Sequence, residues 1–383
     1  MATVFWLAAL AVAFTYAGYP LLMALRARWG ARPVRPAPCT PTIDVLLVVH
    51  DAAALVGTKL DNLLALDYPA ERLRVNLVCD GCQDGTESIA RALGSPRLRV
   101  FAYQPRRGKS ACIADVLPHL DAELVLFTDV RQRIDANAAR GLASVFADAT
   151  IGAASGELVL EADNGYGRGI DAYWRYEKLL RRLESASGSI IGATGALYAA
   201  RRALLAPPPP GIILDDMWIP LAIAAGGHRV VFVPDALAHD RGASDSASEE
   251  IRKRRTLAGN YQLLHRWPQL ALPGAHPLAL RLWGHKWLRL VAPWCLLLLL
   301  ASNLWLARGG NVFYMATLGL QAAAYLLAFS ARARPALAGA WLPARLCGAF
   351  LSLNLSAGLA LLDYLRNPRA HLWRTTRLEA TGR

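Results

Sequence analysis

The chain has 383 residues, enough for two or three folded units at roughly 150 residues each, and 54% of them are apolar. Lysine and arginine number 42 against 29 acidic residues, a formal net charge of +13. No basic groove interleaved with aromatics and no zinc-finger spacing accompanies that charge, which argues against a nucleic-acid-binding module; the basic residues gather beside apolar segments, as they do where a chain meets anionic lipid.

Four segments have the roughly 20 apolar residues that a bilayer crossing requires: Val4 to Leu25, Leu288 to Ala307, Val312 to Ala331 and Leu346 to Leu365. The first lacks a basic start and is followed by "RARWGARPVR" rather than a small-residue cleavage site, so it reads as a retained anchor over residues 1–28. Arg26, Arg28, Arg32 and Arg35 put its downstream side in the cytoplasm by the positive-inside rule. Three later spans would then leave the basic tail, residues 367–383, on the opposite side, against the same rule.

Residues 41–241 alternate short β-rich runs with helical patterns, the signature of parallel βα units. "IDVLLVV", "LRVNLVCD", "RLRVFAY" and "ELVLFTD" read as four buried strands, with helices such as Thr86 to Leu93 and Ser110 to Leu117 between them. This is a Rossmann-like nucleotide-binding arrangement, whose ligands gather at the carboxyl ends of the strands. Further on, "AASGELVLEAD" reads as a strand, "DAYWRYEKLLRRLES" as an amphipathic helix, "IIGATGALYAA" as a glycine-broken strand, and "DDMWIPLAIAAGG" as a helix opened by two carboxylates. Residues 245–287 hold two basic amphipathic stretches, "SEEIRKRRTLAGNYQLLHRW" and "HPLALRLWGHKWLRL", of the kind that lies in a membrane interface. Residues 288–366 hold the C-terminal spans.

Six cysteines form no disulfide framework, since Cys295 and Cys347 fall in apolar spans and the others in the inferred cytoplasmic part. Cys79 and Cys82 make one CxxC. A zinc site would need two further ligands at regular spacing, and none is apparent in the sequence.

Asp80 in "VCDGCQDGT", Asp129 in "FTDVR", and Asp215 and Asp216 in "IILDDMW" each end a strand or open a helix on what should be one sheet edge. Singly they are also what turns and helix caps prefer. In this order, together with "RRGKSACIAD" and "TGALYAA", they resemble the inverting family 2 glycosyltransferases of the GT-A fold, including the membrane-embedded relatives of cellulose and hyaluronan synthases. The resemblance runs from about Pro41 to Gly259, with Cys82 where the family usually has serine. It implies an α/β GT-A catalytic domain joined to transmembrane and interfacial helices. The implied reaction transfers a sugar from a nucleotide-sugar donor, a uridine nucleotide being favoured, to a lipid-linked, glycolipid or polysaccharide acceptor at a bacterial inner membrane. Polysaccharide export proteins are the further partners it implies.

By the same resemblance, Asp216 is the general base and Asp215 its supporting carboxylate. Asp80, Lys109, Asp129, Arg131 and Arg255 serve the donor nucleotide, and Gly195, Ala196 and Trp174 line the acceptor side. Mg²⁺ or Mn²⁺ would be held by Asp129, with His239 as a further ligand. Arg131 stands where the second acid of the family's DxD is usual. Alternation along an extended chain puts it on the side of Asp129, which leaves two alternatives: the cation is held by Asp129 with the diphosphate, water and His239, or the Arg131 fork pairs with diphosphate oxygens and takes over part of the metal's work. Asp135 is expected to cap the next helix. "RKRRTLAG" falls where synthase relatives carry Gln-Arg-x-Arg-Trp, with Arg252 for the glutamine and Thr256 for the tryptophan, which argues against processive polymer synthesis. Two other classes compete: a non-catalytic nucleotide-sugar-binding subunit of a polysaccharide complex, and a transporter. The transporter would need ionisable residues inside the spans, and these are nearly absent.

Overall fold

The computed structural model describes residues 1–161, 167–241, 246–334 and 341–366. Its centre is an eight-stranded mixed sheet in the order β3-β2-β1-β4-β7-β6-β8-β5. The strands are β1 (Ile43–Val49), β2 (Leu73–Asp80), β3 (Leu98–Tyr103), β4 (Leu124–Thr128), β5 (Arg133–Ile134), β6 (Ile151–Glu161), β7 (Tyr198–Arg201) and β8 (Arg229–Arg241). β3, β2, β1 and β4 run parallel, β7 is antiparallel to both β4 and β6, and β8 pairs parallel with β6.

The near-continuous apolar runs follow from burial on both faces. Val45, Leu47 and Val49 of β1 face a core shared with Val56, Leu60 and Leu63 of the helix Ala53–Leu64 and with Leu142 of the helix Ala138–Ser144. Leu46 and Val48 face a second core with Ile113, Val116 and Leu221. Each such side chain, fully buried, contributes on the order of 2 kcal/mol. Trp287 and Leu290 belong to that second core as well, although they lie on a membrane-length helix.

Four described helices are long and apolar enough to cross a membrane: Ala2–Trp29, Ala279–Ala307, Val312–Ala333 and Leu342–Arg366. Where the sequence divides an interfacial stretch from a span near residue 288, the structure runs one helix from Ala279, with a π-helical turn at Trp283–Trp287. The reason lies in packing. Gly284 lets the ring of Tyr19 press against the backbone, where an added Cβ would lie 2.0 Å from it. Next to it, His285 has its two ring nitrogens 2.9 and 3.0 Å from Glu184 and Glu177 of the helix Gly167–Ala186. Tyr19 also donates to Glu184 at 2.6 Å, so the N-terminal helix, the α/β domain and the helix Ala279–Ala307 meet in one buried polar knot.

Two other expectations change. The segment 190–200 is mostly loop, and only Tyr198–Arg201 pairs as a strand. Asp135 does not cap the helix Ala138–Ser144, whose N-cap is Asn137; its carbonyl accepts the Ala138 N–H at 3.0 Å while its carboxylate is engaged elsewhere. The basic tail, 367–383, lies outside the described residues.

Candidate active site

Each strand end delivers its carboxylate differently. Asp80, the last residue of β2, is fully buried, and its carboxylate accepts the backbone N–H groups of Arg107 at 2.7 Å and Gly108 at 2.9 Å. Gly81, at φ 64°, lets this loop approach: an added Cβ would sit 2.7 Å from the Arg106 backbone. Asp80 therefore anchors the loop that launches the helix Lys109–Val116, the helix that carries Lys109.

Lys109 is where the site assembles. Its ammonium donates to Asp129 Oδ1 at 2.7 Å and lies 3.3 Å from Asp215 Oδ2. Burial alone would lower its pKa, but Asp129 and Asp215 overcome that and raise it, so the lysine stays charged. Asp215 and Asp216 open the helix Asp215–Ala225, whose positive end favours ionised carboxylates. Asp216 Oδ2 accepts the Gly195 N–H at 3.0 Å. An added Cβ on Gly195 would lie 3.3 Å from both Asp129 Oδ2 and Asp216 Oδ2, so the bare glycine backbone is the spacer between the two acids. Ala196 is buried behind it, and its carbonyl accepts from the Thr128 hydroxyl at 2.8 Å.

Burial, followed by the charge of Asp215, pushes the Asp216 carboxyl up to about 6 against the pull of Lys109. A group so poised is mostly ionised at neutral pH yet basic enough to take a proton. Arg255 comes from the helix Ser246–Arg266. Its burial lowers its pKa, and the charges of Asp215, Asp216 and Asp129 oppose that drop. The site thus holds three carboxylates and two cations in one partly buried cluster. Such a set has the chemistry to accept a proton at a carboxylate and to hold anionic oxygens with its cations.

Two predicted members are engaged elsewhere. Arg131 pairs with the buried Asp240 of β8, to which Gln132 Nε2 also donates at 3.0 Å. Its guanidinium is therefore neutralised inside the protein rather than directed at a diphosphate. His239 precedes Asp240 and, by strand alternation, points to the other face. There its nitrogens lie 3.0 Å from Asp135 and 3.1 Å from Glu161. Trp174 is half-buried on the helix Gly167–Ala186, whose Tyr176 hydroxyl reaches back to the Tyr16 carbonyl of the N-terminal helix.

A hard cation such as Mg²⁺ or Mn²⁺ takes oxygen ligands and is commonly held by one or two carboxylates together with substrate phosphates. Asp129, with 43% of its side chain exposed, fits that pattern as a single protein ligand; neither Arg131 nor His239 joins it.

Sequence reasoning missed two supports of this site, Lys59 and Gln262. Lys59, only 3% exposed, donates to Thr128 Oγ1 at 2.9 Å and to the Gln132 carbonyl at 2.6 Å, holding the turn after β4. Burial lowers its pKa to about 7 against the opposing charge of Asp129. A lysine among Val56, Leu60 and Leu63 on an apolar helix face was the available signal. Gln262 accepts the Ile213 N–H and donates to the Gly211 carbonyl, both at 2.8 Å. Gly259, one turn earlier, allows this contact, since an added Cβ would lie 2.6 Å from Leu214. The loop leading into Asp215 is thereby bolted to the helix that carries Arg255.

Comparison with known proteins places the chain in a family. The profile described as glycosyltransferase like family 2 matches residues 41–267. Beta-monoglucosyldiacylglycerol synthase of Synechocystis sp. is 24% identical over 241 residues, 58% of this chain and 48% of that protein. An N-acetylglucosaminyltransferase of Rhizobium meliloti is 26% identical over 226 residues, 54% of this chain and 52% of that protein. The chain thus spans about half the length of the curated relatives it matches. Among solved structures, the mannosyltransferase PcManGT from Pyrobaculum calidifontis, in complex with GDP-Man and Mn²⁺, superposes with a TM-score of 0.69 at 25% identity, covering 95% of this chain and 99% of that one. With its mixed sheet, its carboxylates at the strand ends and a profile match over more than half its length, the chain belongs to glycosyltransferase like family 2 and is a glycosyltransferase of the GT-A fold.

Proposed function

We propose that this enzyme is an inverting, membrane-embedded transferase that moves a sugar from a nucleoside-diphosphate sugar to a lipid-borne or glycan acceptor at the cytoplasmic face of a bacterial inner membrane. One observation carries the reading: Asp129, Asp215 and Asp216 gather around Lys109 and Gly195 in a domain whose core includes residues of a membrane-length helix. In this scheme Lys109 and Arg255 hold the donor diphosphate. Asp216 accepts the proton of the acceptor hydroxyl as that oxygen attacks the anomeric carbon, and the Gly195 N–H keeps its carboxylate aimed. Asp215 holds Lys109 in place. Asp129 would hold a divalent cation, which when bound supplies charge neutralisation at the leaving diphosphate.

The relatives favour a lipid acceptor, through the glucosyldiacylglycerol synthase, and a nucleotide-sugar donor with Mn²⁺, through the mannosyltransferase. The full-length protein in lipid nanodiscs, supplied in turn with UDP-glucose, UDP-N-acetylglucosamine and GDP-mannose plus Mg²⁺ or Mn²⁺, tests this. One donor should release nucleoside diphosphate and leave labelled sugar of inverted anomeric configuration on an organic-phase or polymeric product. Retained configuration, or donor binding without turnover across lipid and glycan acceptors, would overturn the proposal.

A further inference from the structure

The helix Ser246–Arg266 presents two faces to two different neighbours. Arg255, Gly259 and Gln262 are spaced by four and three and share one face, since 3.6 residues make a turn. On that face Arg255 feels the charges of Asp215, Asp216 and Asp129, Gly259 lies against Leu214, and Gln262 binds the loop before Asp215. Arg254, Tyr261 and His265, spaced by seven and four, share a second face roughly 100° round the helix. This one meets membrane-length helices. Arg254 donates from Nε to Asp363 Oδ2 at 2.7 Å and from Nη2 to Asp363 Oδ1 at 2.6 Å. The Tyr261 hydroxyl lies 3.4 Å from the carbonyls of Leu290 and Ala357, and His265 Nδ1 lies 2.5 Å from the Tyr364 hydroxyl.

We propose that Asp363, through its two bonds to Arg254, is a positioning residue for the transfer reaction: it fixes the rotation of the helix Ser246–Arg266 and so holds Arg255 beside Asp129, Asp215 and Asp216. The inference rests on the proposed role of Arg255 at the donor diphosphate, and it extends the site to a residue outside the cluster around Lys109.

Three observations support it. The first is the rarity of the group. Asp363 is the one acidic residue in the four described membrane-length helices, where an ionisable side chain is costly enough to mark a functional place. The second is geometry. A carboxylate met by two bonds from one guanidinium is held in direction as well as distance, so the pair opposes rotation of the helix about its axis, which a single bond would permit. The third is adjacency. Arg254 and Arg255 are consecutive, so a turn of the helix that broke the pair with Asp363 would swing Arg255 by the same angle. Neither partner stood out in the sequence, where Arg254 sits in a run of four basic residues and 109 positions separate it from Asp363.

The test is calorimetry on the full chain in lipid nanodiscs, with Mn²⁺ present and UDP and GDP as probes. Stoichiometry counts the folded sites and Kd reports their affinity, so a merely structural role for Asp363 lowers the first and leaves the second unchanged. Asp363→Ala should weaken binding of the diphosphate that the wild type takes by about tenfold, within the range exerted by residues without ligand contact. Arg254→Ala should do the same, and the double variant should be no weaker than either single one, because both act through one pair. Should Asp363→Ala not fold, Asp363→Asn keeps one acceptor oxygen and should still lose at least about threefold. Arg255→Ala separates the two readings. If it weakens diphosphate binding while folded Asp363 variants stay within about twofold of wild type, or if the losses in the double variant simply add, this inference falls alone. If Arg255→Ala has no effect, or the wild type binds neither UDP nor GDP, the role of Arg255 at the donor diphosphate falls and this inference with it.

Discussion

Replacing Asp216 by asparagine tests the proposed chemistry most directly. The amide oxygen can still accept the Gly195 N–H that Oδ2 now takes at 3.0 Å, so the loop between Asp129 and Asp216 should keep its position. Lys109 remains paired with Asp129 and Asp215, so donor affinity should stay within about twofold on the geometry alone. What disappears is the proton acceptor. Loss of a general base lowers kcat by about 10²–10⁴-fold, or about 2.7–5.4 kcal/mol of barrier at about 1.36 kcal/mol per decade. The pH profile sharpens the test. Because burial and Asp215 push the Asp216 carboxyl up to about 6, kcat/KM of the wild type should be level above about pH 7 and fall tenfold per unit below about pH 6. The assay is nucleoside diphosphate release across pH 5–8, with donor binding measured separately by calorimetry. An Asp216→Asn enzyme keeping more than about a tenth of wild-type kcat, or a wild-type profile flat from pH 5 to 7, would refute the assignment.

Arg131→Ala should act on stability more than on donor use: it leaves Asp240, only 2% exposed, without its ion-pair partner, at a cost on the order of 3 kcal/mol. An unchanged thermal inactivation midpoint would contradict that. Gln262→Ala strips the Ile213 N–H and the Gly211 carbonyl of their partner, costing about 1–3 kcal/mol. Because it loosens the approach to Asp215 and Asp216, kcat should fall while donor KM stays within about twofold. Lys59 has a folded pKa lowered from 10.5 to about 7, so between those values the unfolded chain binds more protons than the folded one and stability rises with pH. Melting temperature should therefore climb from pH 7 to 9.5 in the wild type, and Lys59→Met should flatten that slope.

The parallel half of the sheet was legible because its strands are buried on both faces, and their apolar runs begin and end within a residue of the observed bounds. The carboxylates at strand ends were legible for a related reason, since a sheet interrupts its apolar run only where a side chain leaves the core. What sequence could not supply were partners distant along the chain. Arg131 looked free to meet a phosphate because Asp240, 109 positions away, comes beside it only through the pairing of β5 with β8. His239 looked like a ligand until strand alternation set it opposite Asp240. Lys59 was hidden for the reverse reason: a helix face is read by its apolar majority, and one lysine on it attracts little notice.

The helix Ala279–Ala307 joins the sheet to a membrane-length segment without an intervening loop. Trp287 and Leu290 are seated beneath the sheet, and the same helix continues through the bilayer-length segment without a break. Helices answer a thinner or thicker bilayer by tilting. Here no loop separates the membrane-length segment from the residues packed on the sheet. The helix Ser246–Arg266 is fastened to a second span by the two bonds of Arg254 to Asp363, at 2.7 and 2.6 Å, and it carries Arg255 next to that clamp. The helix that bears Arg255 is thereby tied to a membrane-length helix rather than hung on a free linker.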